Sequence, residues 1–252
     1  MMNISVIGAG YVGLITGIGF AKLNHQVSIV DLNDDLIKNL NENRPPFYEP
    51  ELVDYLNDSN IRNNLFFSTS YQKSINENTD IVFVCVQTPT DPDTGKTKTD
   101  YISSVLTELK KIESFNFIIC IKSTIKATLV EKISNEIDLD YKKIIFNPEF
   151  LREGSAFYDF FNPDRIVIGG SDQKGLNQCT ELYESFDCEK IITDSNSSQM
   201  IKYLSNTYLA MRLSFVNETY RLVSEFNGNP EEVLNAIGKD KRIGNDYFRP
   251  SP

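Results

Sequence analysis

Three sets of residues in this chain are of types that do chemistry. The first is Gly8, Gly10 and Gly13 in NISVIGAGYVG (3–13), followed by Asp31 at the end of HQVSIVD. A G-x-G-x-x-G turn that opens a helix presents unpaired main-chain N–H groups at the helix's positive end, where an anion sits. Gly8 allows the tight turn, Gly10 lets a pyrophosphate approach the backbone, and Gly13 lets helix and strand pack closely. A carboxylate at Asp31 accepts from both hydroxyls of an adenosine ribose and repels a 2′-phosphate, which reads as NAD rather than NADP. The second set is Glu149 and Glu153, flanking Phe150-Leu151-Arg152. Paired carboxylates share acid/base work, but the spacing equally fits a solvated loop with an Arg152 ion pair. The third is Lys202 and Asn206, one helical turn apart and so on one face. A lysine in partly apolar surroundings has a lowered pKa, or holds an anion or a water. The same spacing equally fits a snorkelling lysine and a polar surface asparagine.

Such groups act only where regular structure places them. Ile4, Val6 and Ile7 form a short apolar run, as a buried parallel strand does. Leu14 to Leu23 is helix-compatible, and Val27 to Val30 reads as a second strand ended by Asp31. With strand before, helix after and an acid at the right distance, the glycine pattern becomes a strong signal. Leu32 to Asn41 reads as a helix, RPPFYEP (44–50) as a loop and Glu51 to Leu56 as a short helix. Leu65 to Phe67 then reads as a brief strand and Tyr71 to Asn76 as a short helix. DIVFVCV (80–86) is a buried strand running into Gln87-Thr88-Pro89, and Asn116 to Ile121 is another running into Lys122-Ser123-Thr124. Ligands of open α/β sheets bind beyond the carboxyl ends of strands, so Thr88 is placed to face the cofactor and Thr124 stands at a like position.

Helices are expected at Tyr101 to Lys111, Ala127 to Ile137 and Leu176 to Phe186, and strands at Lys143 to Phe146, Arg165 to Ile168 and Lys190 to Ile192. This alternation predicts an α/β fold, a Rossmann-type doubly wound and mostly parallel sheet, followed by a long connecting helix. From Ser197 to Phe226 there is no glycine or proline, and Met200, Leu204, Tyr208, Met211, Phe215, Leu222 and Phe226 recur at helical spacing. The expected N-cap is Asn196 or Ser197, with Gly228 past the end. Apolar residues also fall off that stripe (Ile201, Leu209, Leu213, Val216, Val223), so something else covers the helix, a second domain or a partner subunit. The organisation predicted is a dinucleotide-binding domain over 1–195 and the start of a helical region over 196–252.

Composition narrows the function. The chain has 252 residues, 40% hydrophobic, with a formal net charge of −10. That argues against non-specific binding to nucleic acid or anionic membranes, though not against an anionic substrate in a locally positive site. No apolar run reaches membrane-spanning length, and no signal-like segment precedes the first strand. The four cysteines, Cys85, Cys120, Cys179 and Cys188, form no C-x-x-C pair. They read as free thiols in a reducing cytoplasm. His25, the only histidine, reads as a surface turn residue, and no metal site is expected.

The motifs together carry a resemblance. GAGYVGL (8–14), VDLN (30–33), the YEP loop (48–50), VQTPT (86–90), KSTI (122–125) and NPEFLREGSA (147–156) are joined by PDRIVIG (163–169), IKYLSNTYLAMRLSFVNE (201–218) and RIGNDYFRPSP (242–252). The chain resembles the N-terminal part of the UDP-glucose dehydrogenase family, within the wider nucleotide-sugar dehydrogenases. The resemblance implies NAD contacts at Gly8, Gly10, Tyr11, Val12, Gly13, Asp31 and Thr88, with Thr124 and Glu153 beside the reacting centre. It implies that Glu149, Phe150, Leu151, Arg152 and Glu153 line the sugar-nucleotide site. Lys202 and Asn206 would hold a water or the developing oxyanion, and Tyr247, Phe248, Arg249, Pro250 and Ser251 would begin a loop over the substrate. The implied reaction oxidises UDP-glucose to the uronate with two NAD, through an aldehyde that a cysteine thiolate traps as a thioester. GDP-mannose or a UDP-N-acetylhexosamine are the alternative substrates, and a homodimer through the long helix is implied.

Two departures from the family pattern stand out. Leu36 occupies a position where a basic residue is usual, and the family's cysteine would lie beyond Ser251. On this reading the chain is a truncated part, an NAD-binding module without turnover of its own.

Overall fold

A computed structural model describes residues 1–112 and 116–244. Eight strands form one sheet: β1 Asn3–Ile7, β2 Gln26–Val30, β3 Leu65–Ser68, β4 Ile81–Val84, β5 Ile118–Ile121, β6 Ile144–Phe146, β7 Arg165–Gly169 and β8 Glu189–Thr193. Their order is β3-β2-β1-β4-β5-β6-β7-β8. Neighbours run parallel except β6 and β7, which meet antiparallel at Phe146 and Gly169. The order reverses between β1 and β4, the switch point at which α/β sheets open a crevice.

Strand side chains alternate between two cores, as the two-residue period of a strand requires. Ile4 and Val6 of β1 face one cluster with Leu14, Ile18 and Phe20, whereas Ile7 faces the other with Val84, Leu106 and Val130. Helix α1, Tyr11–Lys22, is buried from Gly13 through Ala21, so it packs all round rather than along one stripe. Each large apolar side chain buried this way contributes about 1.5–3 kcal/mol. Around the sheet lie α2 Asp34–Asn41, α3 Leu52–Asn57, α4 Ser59–Arg62, α5 Tyr71–Ser74, α6 Asp100–Lys111, α7 Ala127–Glu136, α8 Ala156–Phe161 and α9 Gln173–Leu182.

The sheet and its helices match the expected architecture, and the local differences have physical causes. Asn33 rather than Leu32 opens α2, because its side chain accepts from the Leu36 amide at 3.0 Å. Helix α8 was not expected; its aromatic-rich run AFYDFF buries Ala156, Phe157 and Phe160 against the core. His25 is half-buried rather than a surface residue, with Nδ1 accepting from the Met2 amide at 3.1 Å. Burial lowers its pKa.

The chain divides into two compact units, Met1–Met200 and the part from Ile201 on. The long helix α10, Ser195–Glu225, begins in the first. Asp194 caps it, in place of the expected Asn196 or Ser197: its carboxylate accepts from the Ser197 amide at 2.9 Å and the Ser197 hydroxyl at 2.6 Å. In the second unit α11, Pro230–Ile237, follows the turn at Gly228, whose amide donates to Val223 O. Along α10, Leu204, Tyr208, Met211 and Phe215 are each more than half exposed, while Val216 is fully buried. No helix among the described residues is long and apolar enough to cross a membrane.

Candidate functional site

The glycine turn joins β1 to α1 and its three glycines do different things. Gly8 has φ +100°, and a Cβ there would lie 2.8 Å from Cys85 O. A Cβ on Gly13 would lie 1.8 Å from Gly8 O, so nothing larger than glycine fits where helix meets strand. At Gly10 a Cβ would meet no atom of the described residues within 4 Å. That open space adjoins the start of α1, whose first amides have no side-chain cap. An anion lodged there meets unpaired N–H groups and the helix dipole.

Asp31 stands beside this turn. Its Oδ2 accepts from the Ala9 amide at 2.8 Å and its Oδ1 from the Asn33 amide at 3.0 Å. A carboxylate has about four lone-pair sites, so about two acceptor sites remain beyond these two hydrogen bonds. Leu36 packs partly buried against the core, and Lys38 is exposed. The open space at Gly10, the uncapped helix start and the spare acceptors of Asp31 together fit a dinucleotide with an unphosphorylated adenosine ribose.

Two further strand ends meet nearby in the fold. Thr88, after β4, donates through Oγ1 to Thr124 O, after β5, at 2.8 Å. The Ser123 hydroxyl donates to Val86 O at 2.6 Å and helps hold the two ends together. Behind them Lys122 is buried, with Nζ donating to Asn147 Oδ1 at 2.8 Å. The Tyr183 hydroxyl donates to the same oxygen at 2.6 Å, and Asn147 Nδ2 donates to Val167 O at 2.8 Å. Burial depresses the Lys122 pKa and raises that of Tyr183. This network fixes the end of β6, and so the start of the acidic loop.

In that loop Glu149 Oε2 accepts from the Leu151 amide at 2.7 Å, and Glu153 is exposed. Phe150 stacks under the Arg165 guanidinium, 3.9 Å from its ring centre. Arg152 grips Asp159 of α8 through Nε at 3.0 Å and Nη2 at 2.6 Å. Arg152 thus pairs with Asp159, whose carboxyl it holds below the usual range against the opposing effect of burial.

Glu49, in the YEP loop (48–50), is a buried acid that the sequence does not mark as a site residue. It is 3% exposed, with Oε1 accepting from the Ala156 amide at 2.8 Å and Oε2 from the Gly154 amide at 2.9 Å. The Tyr11 hydroxyl also donates to Oε2, at 2.9 Å. Its only signal in sequence is an acid set in a proline-rich loop, and that does not reveal burial.

Lys202 and Asn206 belong to the second unit; Lys202 is buried and Asn206 is exposed, so their common face is not equally open. Tyr247, Phe248, Arg249, Pro250 and Ser251 lie outside the described residues. Cys85, Cys120 and Cys179 are buried and Cys188 is partly so. Burial pushes the Cys85 thiol up to about 12. Among the described residues no cluster of His, Cys, Asp or Glu is arranged to hold a metal.

A doubly wound sheet, a glycine turn at its switch point and an acid after the second strand define an NAD-binding dehydrogenase fold. Residues 2–187 match the NAD-binding domain of the UDP-glucose/GDP-mannose dehydrogenase family, and residues 196–252 match its central domain. The chain belongs to that family, as an N-terminal NAD-binding portion. It is 35% identical over 256 residues to the UDP-glucose 6-dehydrogenase YwqF of Bacillus subtilis, covering 98% of this chain and 57% of that protein. A UDP-glucose dehydrogenase structure from Pyrobaculum islandicum superposes with TM-score 0.90 at 35% identity, over 98% of this chain and 59% of that one. GDP-mannose dehydrogenase from Pseudomonas aeruginosa gives TM-score 0.89 at 27% identity, over 99% and 60%. The chain thus spans about three fifths of each of these relatives.

Proposed function

We propose that this chain supplies the NAD site of an enzyme that oxidises UDP-glucose to UDP-glucuronate. The observation that carries this choice is the 35% identity to proteins named for UDP-glucose, against 27% to the GDP-mannose enzyme. When bound, NAD supplies the hydride acceptor, twice for an alcohol taken to an acid. Gly8, Gly10, Tyr11, Val12 and Gly13 would hold its diphosphate turn, Asp31 its adenosine ribose, and Thr88 the strand end beside it. Residues 1–195 form the NAD-binding domain on this reading, and 196–252 begin the central region.

The acidic loop and α10 would carry the sugar chemistry. Thr124 and Glu153 stand by the reacting carbon, and Glu149 to Glu153 line the sugar nucleotide, in good part through main-chain groups. Lys202 and Asn206 hold a water or the oxygen on which charge develops. The thiolate that forms a thioester is none of the four cysteines here: three are buried, and Cys85 holds its proton far above neutrality. The 252-residue chain alone should therefore bind NAD without sustained turnover. Free thiols agree with a reducing, cytoplasmic setting.

The exposed stripe Leu204, Tyr208, Met211 and Phe215 supports a homodimer through α10. The test of substrate is the initial rate of NADH formation by the whole enzyme with UDP-glucose, GDP-mannose and UDP-N-acetylmannosamine. UDP-glucose should be fastest, with two NADH per uronate; a faster rate with either other sugar nucleotide contradicts the reading.

A further inference from the structure

We propose that Glu49 is a positioning residue which, through the Tyr11 hydroxyl, couples occupancy of the dinucleotide turn to the geometry of the 149–156 loop. The inference rests on the reading of the glycine turn as the NAD site.

Tyr11 is the first residue of α1 and follows Gly10, so its main chain borders the space where the diphosphate would lie. Its ring packs on Phe47, with centroids 5.1 Å apart. Its hydroxyl lies 2.9 Å from Glu49 Oε2 and 3.1 Å from Arg152 O, so one proton serves two acceptors on two loops. Glu49 in turn collects the amides of Gly154 and Ala156, which flank Ser155 immediately after Glu153. A carboxylate this buried is costly unless donors surround it, and here three converge on two oxygens.

The anchoring has a structural counterpart. Glu51, two residues on, holds φ +69°, a left-handed backbone that a non-glycine residue keeps only where its surroundings fix it. Glu49 on one side and the fully buried Leu52 on the other provide that fixing. The chain of contact therefore runs from the turn, through Tyr11 and Glu49, to the amides beside Glu153. Anything that settles the Tyr11 backbone also settles the loop expected to line the substrate. Burial, then the Glu49 hydrogen bond, raises the Tyr11 pKa, so the hydroxyl stays a donor at neutral pH.

The test is hydrogen exchange at the Gly154 and Ala156 amides, with and without saturating NAD, in the 252-residue chain. Saturation is verified by calorimetry for each variant. In the wild type, NAD should slow exchange at both amides by about fivefold or more. In Tyr11→Phe, which keeps the ring on Phe47 and leaves both amides bonded to Glu49, the NAD effect should shrink below about twofold. Glu49→Gln should abolish it and speed exchange without NAD as well. A full wild-type NAD effect in Tyr11→Phe overturns the coupling, as does an absent effect in a wild type that binds NAD. A wild type that gives no heat with NAD overturns the cofactor reading itself, and the coupling with it.

Discussion

The Asp31 carboxylate accepts a hydrogen bond from the Ala9 amide at 2.8 Å, tying the end of β2 to the turn that follows β1. On the proposed reading, this one acid shapes the turn and offers its remaining lone pairs to the adenosine ribose of NAD. Asp31→Asn keeps an oxygen for one amide but loses the charge. Hydrogen bonds to charged groups contribute about 1.5–3 kcal/mol, so NAD affinity should fall about ten- to hundredfold. Calorimetric titration checks this, with a thermal melt to confirm the fold. Unchanged affinity sinks the assignment.

Gly10 and Gly13 should separate binding from folding. A Cβ on Gly10 enters open space, and its φ of −74° is ordinary for any residue. Gly10→Ala should melt like the wild type yet bind NAD at least about tenfold more weakly, a loss of about 1.4 kcal/mol. A Cβ on Gly13 would overlap Gly8 O at 1.8 Å. Gly13→Ala should lose about 3 kcal/mol or more of stability, read by urea unfolding. A Gly10→Ala protein with full NAD affinity would show that no anion approaches there.

Much of this was legible in sequence because it rests on glycines and strand periodicity. The short apolar runs set the places of β1, β2, β4 and β5, and the strand ends then point to Asp31, Thr88 and Thr124. Other features were not legible, since they depend on residues far apart in the chain. Glu49 meets Gly154 and Ala156 more than a hundred positions away, and Lys122 meets Asn147 and Tyr183 across three elements. Arg152 reaches Asp159 because α8, unseen in the pattern, brings that carboxylate to hand.

Alkaline pH should weaken the fold. Burial raises Cys85 from 9.0 to about 12 and Tyr71 from 10.0 to about 12, and it raises Cys120 and Tyr183 as well. A group whose folded pKa lies above its unfolded value contributes stability below the unfolded pKa and loses it as pH rises. Lys122 acts with the opposite sign, because its folded pKa lies below 10.5, but burial also raises Tyr11, Tyr141, Tyr203 and Cys188. The unfolding free energy should therefore fall from about pH 9 upward, by about 1.4 kcal/mol per pH unit for each net proton. Urea unfolding at a series of pH values reads the slope, and Cys85→Ala should flatten it. A stability that rises over that range contradicts the placement of these groups.

The most direct test is calorimetric titration of the 252-residue chain with NAD and with NADP. The geometry at Gly10 and Asp31 predicts saturable NAD binding, with NADP weaker by about tenfold or more because the carboxylate repels the 2′-phosphate. Equal or tighter NADP binding, or no heat from NAD, would contradict the account.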